Sequence, residues 1–274
     1  MKPDHKTELK TLGFIGGGQM AEALIKGILA SGIIHADRIT VSDLSPERRK
    51  ILEESHAVHT TSYNRDVAER SGLIIIAVKP QNVGQVLADI TSLITPSHLL
   101  ISIAAGIRAA FLEERLPAGT RVVRVMPNTP ALVQEGVAAV CPGSSASAED
   151  LRTAAELLGA VGQTVTVTES SMDAVTGLSG SGPAYVFTFI EGLTDAGVRE
   201  GLTRDIARKL AIQTVLGSAL LCRETGRHPA ELTDMVTSPG GTTIAGLHTL
   251  EKGAFRGIIM DAVRAAAERS AELG

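Results

Sequence analysis

Leu73-Ile74-Ile75-Ile76-Ala77-Val78 is a run of six apolar residues, four of them β-branched. A strand with one wet face alternates apolar and polar residues. An unbroken run suits a strand covered on both faces, as in a parallel sheet flanked by helices. The neighbouring sequence agrees: Thr11–Gly16, Arg38–Asp43, Leu99–Ala104, Arg121–Met126 and Val137–Cys141 read as further strands, with Thr164–Thr168 closing an edge. Gln19–Ser31 and Pro46–Ser55 carry helical patterns between them. Strands alternating with helices predict a doubly wound α/β domain over residues 1–168.

From Glu169 onward the strand signal stops. Ser181-Gly182-Pro183 reads as a helix start, with proline in the first turn. Leu210–Cys222 carries no charge and has apolar side chains on every face, which predicts a buried helix. A segment the size of residues 169–274 has trouble surrounding such a helix alone. It is therefore expected to be an all-helical dimerisation domain, covered in part by a second copy.

Composition narrows the function classes. With 26 basic against 30 acidic side chains and no Lys/Arg block, no nucleic-acid surface is expected. The longest uncharged stretch, Ala174–Ile190, is broken by Gly177, Gly180, Gly182 and Pro183, so no membrane span is expected. Met1–Lys10 is charged and lacks an apolar signal region, which points to the cytoplasm. Two cysteines, Cys141 and Cys222, cannot build a disulfide framework or a four-ligand metal site, and no metal is expected.

Twenty-eight glycines, by contrast, mark places where backbone must approach something. Gly16-x-Gly18-x-x-Ala21 follows a predicted strand and opens a helix. Its first glycine permits a tight turn, its second lets a pyrophosphate approach the backbone, and its small third position lets helix and strand pack. The helix N-terminus offers free N–H groups and a positive dipole end to phosphates. The second strand ends Val41-Ser42-Asp43-Leu44-Ser45, followed by Arg48 and Arg49. Asp43 would accept hydrogen bonds from an adenosine ribose and favour NAD, whereas arginines with small hydroxyls suit NADP. Asp43 and Ser45 equally read as caps of the next helix, so the preference between NADP(H) and NAD(H) stays open.

Several segments together resemble the pyrroline-5-carboxylate reductase family. They are Gly13–Ala23, Ala77-Val78-Lys79-Pro80-Gln81, Ser102–Gly106, Met126-Pro127-Asn128-Thr129-Pro130-Ala131, Gly177–Tyr185 and, most discriminating, Val236-Thr237-Ser238-Pro239-Gly240-Gly241-Thr242-Thr243. The resemblance runs from about Leu12 to Leu273. It implies a Rossmann domain joined to an intertwined helical dimerisation domain, giving a homodimer that assembles further into rings. It also implies hydride transfer from NAD(P)H to the C=N bond of 1-pyrroline-5-carboxylate, giving L-proline. By the same resemblance Ile15, Gly16, Gly17, Gly18, Gln19, Met20, Asn64, Ala77, Val78, Lys79, Pro80, Ile103, Ala104 and Ala105 line the cofactor. Glu169, Ser238, Thr242 and Thr243 face substrate or nicotinamide. Asp43-Leu44 departs from the Asn-Arg or serine-rich patterns of relatives.

The residues themselves are consistent with that chemistry. Ser238–Thr243 precedes a helical pattern through Leu250, so it sets hydroxyls and backbone N–H groups at a helix N-terminus, a cradle for the substrate carboxylate. Gly240 and Gly241 let the chain approach a small flat ligand. The Thr243 hydroxyl is a poor acid and reads as a relay for a proton from water. Glu169 reads either as a partner of the iminium charge or as an ordering or surface carboxylate, and Lys79 either as a phosphate contact or as a solvated side chain. The seven histidines lie outside these motifs. Two other readings compete: a related Rossmann imine or hydroxyacid reductase, and an NAD(P)-binding sensor without turnover. A hydroxyacid enzyme would want a lysine between Pro183 and Arg199, and none is there.

Overall fold

The computed structural model describes residues 11–273. By its internal contacts the chain divides into two compact units. One runs up to Gly180 and includes the segment from Ala266; the other is Ser181–Ala265.

The first unit holds a single sheet of β1 (Leu12–Ile15), β2 (Ile39–Ser42), β3 (His59–Thr61), β4 (Leu73–Ile76), β5 (Leu99–Ser102), β6 (Arg121–Met126), β7 (Gly136–Pro142) and β8 (Gly162–Thr166). Their order is β3-β2-β1-β4-β5-β6-β7-β8. All neighbours are parallel except β6 and β7. Between these two lie residues 127–135, which hold only a 3-10 turn at Thr129–Val133. That link is too short for the crossover a parallel pair needs.

Helices α1 (Gln19–Ser31), α2 (Pro46–His56), α3 (Asn64–Arg70), α4 (Val83–Ile90), α5 (Ala109–Glu113) and α6 (Ala148–Gly159) connect the strands, followed by α7 (Met172–Val175) and a π-helical turn, Thr176–Gly180. Local chemistry sets their ends. α2 starts with Pro46 behind Ser45, whose hydroxyl accepts the Arg48 N–H at 3.2 Å. α6 opens on a reciprocal capping box between Ser147 and Asp150. α1 stops at Gly32, whose left-handed backbone donates to the Leu29 carbonyl.

The six-residue apolar run behaves as its composition requires. Ile75 packs in a cluster with Leu12, Phe14 and Leu24, while Ile74 and Ile76 pack on the opposite face with Val83, Leu87 and Ile90. Ala77 and Val78 lie past the strand, which is two residues shorter than expected. The chain leaves the sheet after the Ala77 N–H has bonded the Ile15 carbonyl at 2.8 Å. The expected closing strand, Thr164–Thr168, sits two residues earlier, at Gly162–Thr166. β3 has no counterpart in the sequence reading: it is three polar, partly exposed residues at a sheet edge, paired to β2 by backbone alone.

The second unit contains α8 (Gly182–Arg199), α9 (Arg204–Thr225), α10 (Pro229–Met235), α11 (Thr242–Lys252) and most of α12 (Phe255–Leu273). α8 begins at the expected position with proline in its first turn. It packs closely on α9: a Cβ at Gly197 would lie 2.9 Å from that of Ala207. Phe189 and Phe255 stack at a tilt, 6.0 Å between centroids. The expected burial of Leu210–Cys222 is not met within one chain. On α9 only Ala207 and Ala211 are buried, and Leu210, Ile212, Leu216 and Leu221 are 54%, 47%, 49% and 45% exposed. An uncovered apolar face of this extent asks for another polypeptide. No helix among the described residues is long and apolar enough to cross a membrane.

Burial on both faces of β4 has a measurable signature. Ile74→Ala and Ile75→Ala should each cost about 2–5 kcal/mol, read as a fall in urea midpoint. A strand with one wet face would show the loss for only one of them.

Candidate active site

The strand order reverses between β1 and β4, and the carboxyl ends of the strands there form the crevice where open α/β sheets bind ligands. Gly16 turns the chain at that point with φ +97°, and a Cβ on it would lie 2.7 Å from the Ala77 carbonyl oxygen. Only glycine satisfies both demands. Gly18 is the N-cap of α1 and has no side-chain cap, and the space where its Cβ would stand is open to 4 Å. Ala21 is wholly buried, as close packing of α1 on the sheet requires. An uncapped helix N-terminus behind open backbone fits a dinucleotide pyrophosphate. Gly18 and Gln19 are exposed and Met20 half-buried beside this opening, whereas the Ile15 side chain is in the core and leaves only backbone to a ligand.

Gly17 is held from both sides. Its N–H donates to Asp43 Oδ2 at 2.8 Å, and its carbonyl accepts Arg48 Nε at 2.8 Å. Asp43 Oδ1 accepts the Ser45 N–H at 2.9 Å, and Ser45 caps α2, so the capping role of this pair is realised. Arg48 Nη2 donates to Glu22 Oε2 at 2.7 Å, and His56 Nε2 lies 3.4 Å from Glu22 Oε1. The Arg48 hydrogen bond holds the Glu22 carboxyl below its ordinary value against the opposing effect of burial, with His56 adding to it. Arg49 Nη1 donates to the Asp43 carbonyl at 2.7 Å.

The other expected cofactor residues follow the ends of adjacent strands. Asn64, at the start of α3, accepts Ser42 Oγ at 2.9 Å and donates to Asp89 Oδ2 at 2.9 Å. After β4, Lys79 is exposed, and among the described residues no ion pair engages it. Its carbonyl accepts the Asn82 N–H of the turn that Pro80 opens. After β5, Ile103 N–H bonds the Ile76 carbonyl at 3.1 Å and Ala104 is buried. Topology thus gathers Gly16–Met20, Ala77–Pro80 and Ile103–Ala105 along one edge of three neighbouring strands.

Glu169 also belongs to the sheet unit. Its partner, Arg124, was not anticipated. Arg124 is 3% exposed in the middle of β6, and its Nη1 donates to Glu169 Oε1 at 2.5 Å. Cys141, opposite Arg124 in the β6–β7 register, donates its thiol to Glu169 Oε2 at 3.5 Å. Burial first, then the Glu169 charge, pushes the Cys141 thiol up to about 11. The pairing signal was present in Val122-Val123-Arg124-Val125, since a charge inside an apolar strand must have a partner. Asn128 accepts the Val137 N–H at 2.9 Å and donates to Ser179 Oγ at 3.3 Å, tying β7 to the π-helical turn.

Ser238, Gly240, Gly241, Thr242 and Thr243 lie in the helical unit. Gly240 has φ +67°, and the Gly241 N–H closes a turn onto the Ser238 carbonyl at 3.0 Å. Gly241 is the N-cap of α11 and has no side-chain cap. A Cβ at Gly241 would lie 2.2 Å from Ser238 Oγ, so the hydroxyl sits against the cap itself. Ser238 and Thr242 are exposed and Thr243 is half-buried. Free N–H groups flanked by hydroxyls at the start of an eleven-residue helix suit a carboxylate. Among the described residues no group of three or more His, Cys, Asp or Glu side chains is placed to hold a metal ion.

Residues 169–273 match the family described as pyrroline-5-carboxylate reductase dimerisation, and residues 11–106 match NADP oxidoreductase coenzyme F420-dependent. The chain is 48% identical to a pyrroline-5-carboxylate reductase of Methanosarcina acetivorans, over 97% of this chain and 99% of that protein. It is similar to the solved pyrroline-5-carboxylate reductase of Coxiella burnetii, with TM-score 0.92, 35% identity and coverage of 97% and 98%. Plasmodium falciparum pyrroline carboxylate reductase, solved with NADP bound, gives TM-score 0.86 at 37% identity, with coverage of 97% and 98%.

The raised Cys141 value keeps this thiol neutral until pH nears 11, and neutral thiols are poor nucleophiles. In the folded protein at pH 8, iodoacetamide should leave Cys141 unmodified by peptide mass spectrometry and label it only after unfolding. Rapid native labelling would contradict the burial of Cys141 beside Arg124 and Glu169.

Proposed function

The chain belongs to the pyrroline-5-carboxylate reductase family, and from that premise we propose which residues carry each part of the reaction. The enzyme reduces 1-pyrroline-5-carboxylate to L-proline with NAD(P)H, the last step of proline biosynthesis. The nicotinamide supplies the hydride that reaches the imine carbon.

In this reading the N–H groups behind Gly18, at Gln19 and Met20, hold the pyrophosphate, and Gly16 and Gly17 shape the turn. Asp43, Ser45 and Asn64 stand on the adenosine side, and Ala77–Pro80 with Ile103–Ala105 line the rest of the cofactor. The substrate carboxylate is held at the start of α11 by Ser238, Gly240, Gly241, Thr242 and Thr243. The observation that carries this assignment is the uncapped N-terminus of α11 with Ser238 Oγ against Gly241. Thr243 Oγ1 relays a proton from water to the ring nitrogen, so that the imine is protonated as it takes the hydride and becomes an amine. Glu169, fixed by Arg124, is assigned to the positive charge of the protonated imine.

Homo-oligomers form through the C-terminal helices, in keeping with the dimerisation family matched there. We infer a dimer as the basic assembly, with dimers joining into rings. The exposed leucines of α9 support that role. The functional boundary is placed at 168/169, sheet domain before and helical domain after, supported by the start of the family match at residue 169. The cytoplasm is the proposed location.

Thr243→Ala should lower kcat about 10²-fold with little change in the KM for NAD(P)H, measured by absorbance loss at saturating substrate. Full turnover in that variant would remove Thr243 from the proton path. Ser238→Ala should act mainly on the KM for 1-pyrroline-5-carboxylate. Leu216→Glu should turn the oligomer into monomers in sedimentation equilibrium, because a carboxylate placed in an apolar interface is left unpaired.

A further inference from the structure

We propose that Asp43 makes this enzyme select NADH over NADPH. The argument rests on the cofactor placement given above and on how the charges around Gly17 are arranged. An acid at the end of the second strand accepts the adenosine ribose hydroxyls, whereas a ribose 2′-phosphate needs cations and neutral donors in that place. Asp43 is fixed there by two backbone N–H groups, Gly17 to Oδ2 and Ser45 to Oδ1, so its carboxylate cannot swing aside. Each oxygen keeps a further lone pair for a ribose hydroxyl.

The donors that would welcome a phosphate are in part committed to other partners. Ser45, the small hydroxyl beside Asp43, donates its proton to Glu47 Oε2 at 2.7 Å, which sets a second carboxylate at the same turn. Arg48 spends Nε on the Gly17 carbonyl and Nη2 on Glu22. Arg49 Nη1 is shared between the carbonyls of Asp43 and Leu44, at 2.7 and 3.2 Å. A 2′-phosphate would therefore meet two carboxylates, while both guanidiniums are turned toward other partners, Arg48 to the Gly17 carbonyl and Glu22, and Arg49 to the carbonyls of Asp43 and Leu44, which leaves a phosphate only their remaining N–H groups. Like charges brought together in this way are strongly unfavourable.

The test is equilibrium binding, followed by the fluorescence change of the reduced nicotinamide, with ADP-ribose and 2′-phospho-ADP-ribose as competitors. NADH should bind at least about tenfold more tightly than NADPH, and ADP-ribose should compete better than its 2′-phosphorylated form by a similar factor. Asp43→Asn keeps an acceptor for a backbone N–H while removing the charge, and it should narrow the ratio severalfold. Should that variant fail to fold, the wild-type ratio and its competitors decide alone. NADPH binding as tightly as NADH, or an unchanged ratio in folded Asp43→Asn, overturns the inference. Failure of every dinucleotide to bind overturns the cofactor placement, and the inference with it.

Discussion

Desolvation of β4 is the constraint on which the sheet unit depends. Four residues with no exposed polar side chain can be strand only if both faces are covered, and one chain covers both faces of a sheet by placing helices on each. Those helices impose parallel crossovers, and parallel strands point their carboxyl ends the same way. The reversal of order between β1 and β4 then opens a crevice where Gly16, Ala77 and Ile103 all emerge. The ligand edge is thus a consequence of how Ile74, Ile75 and Ile76 are buried. Where the connection is too short for a helix, between β6 and β7, the sheet turns antiparallel, and there the pattern brings Arg124 and Cys141 opposite each other beneath Glu169.

The helical unit obeys the same physics with the opposite local result. Its closest packing rests on small residues, Gly197 against Ala207, while the large apolar side chains of α9 face outward. A helix so built is stable in water only when another surface completes its core. Burial that β4 obtains within one chain is obtained here by association.

How much was legible follows from whether a feature is local. The glycine turn is written in five residues, because Gly16 must adopt a positive φ and Gly18 must leave space, and both demands are met in place. The uncapped helix start at Gly240-Gly241, the proposed carboxylate cradle, is readable for the same reason. β3 was not legible, since its pairing to β2 is made by backbone and its residues carry no apolar pattern. The ends of β4 and β8 were displaced because a strand stops where its ladder loses a partner, which composition does not mark. Arg124 and Glu169 are separated by 45 positions, so their pairing depends on the sheet register, although a charge in an apolar strand announced that a partner existed.

Asp43 shows how a local reading can offer two roles that the fold then unites. At the end of β2 it reads as a ribose acceptor or as a helix cap; its geometry makes the cap and leaves a lone pair on each oxygen for the proposed ribose contact. One oxygen bonds the Ser45 N–H at the start of α2, and the other bonds Gly17. A phosphate-binding turn needs glycines to leave room, yet glycines bring the largest conformational entropy of any residue. Rigidity has to come from outside the turn, and Asp43 and Arg48 supply it by taking the N–H and the carbonyl of Gly17. In the cofactor placement proposed above, the same carboxylate that immobilises the turn also fixes a negative charge beside the ribose. On that proposal, ordering the phosphate site and choosing the cofactor are consequences of one side chain.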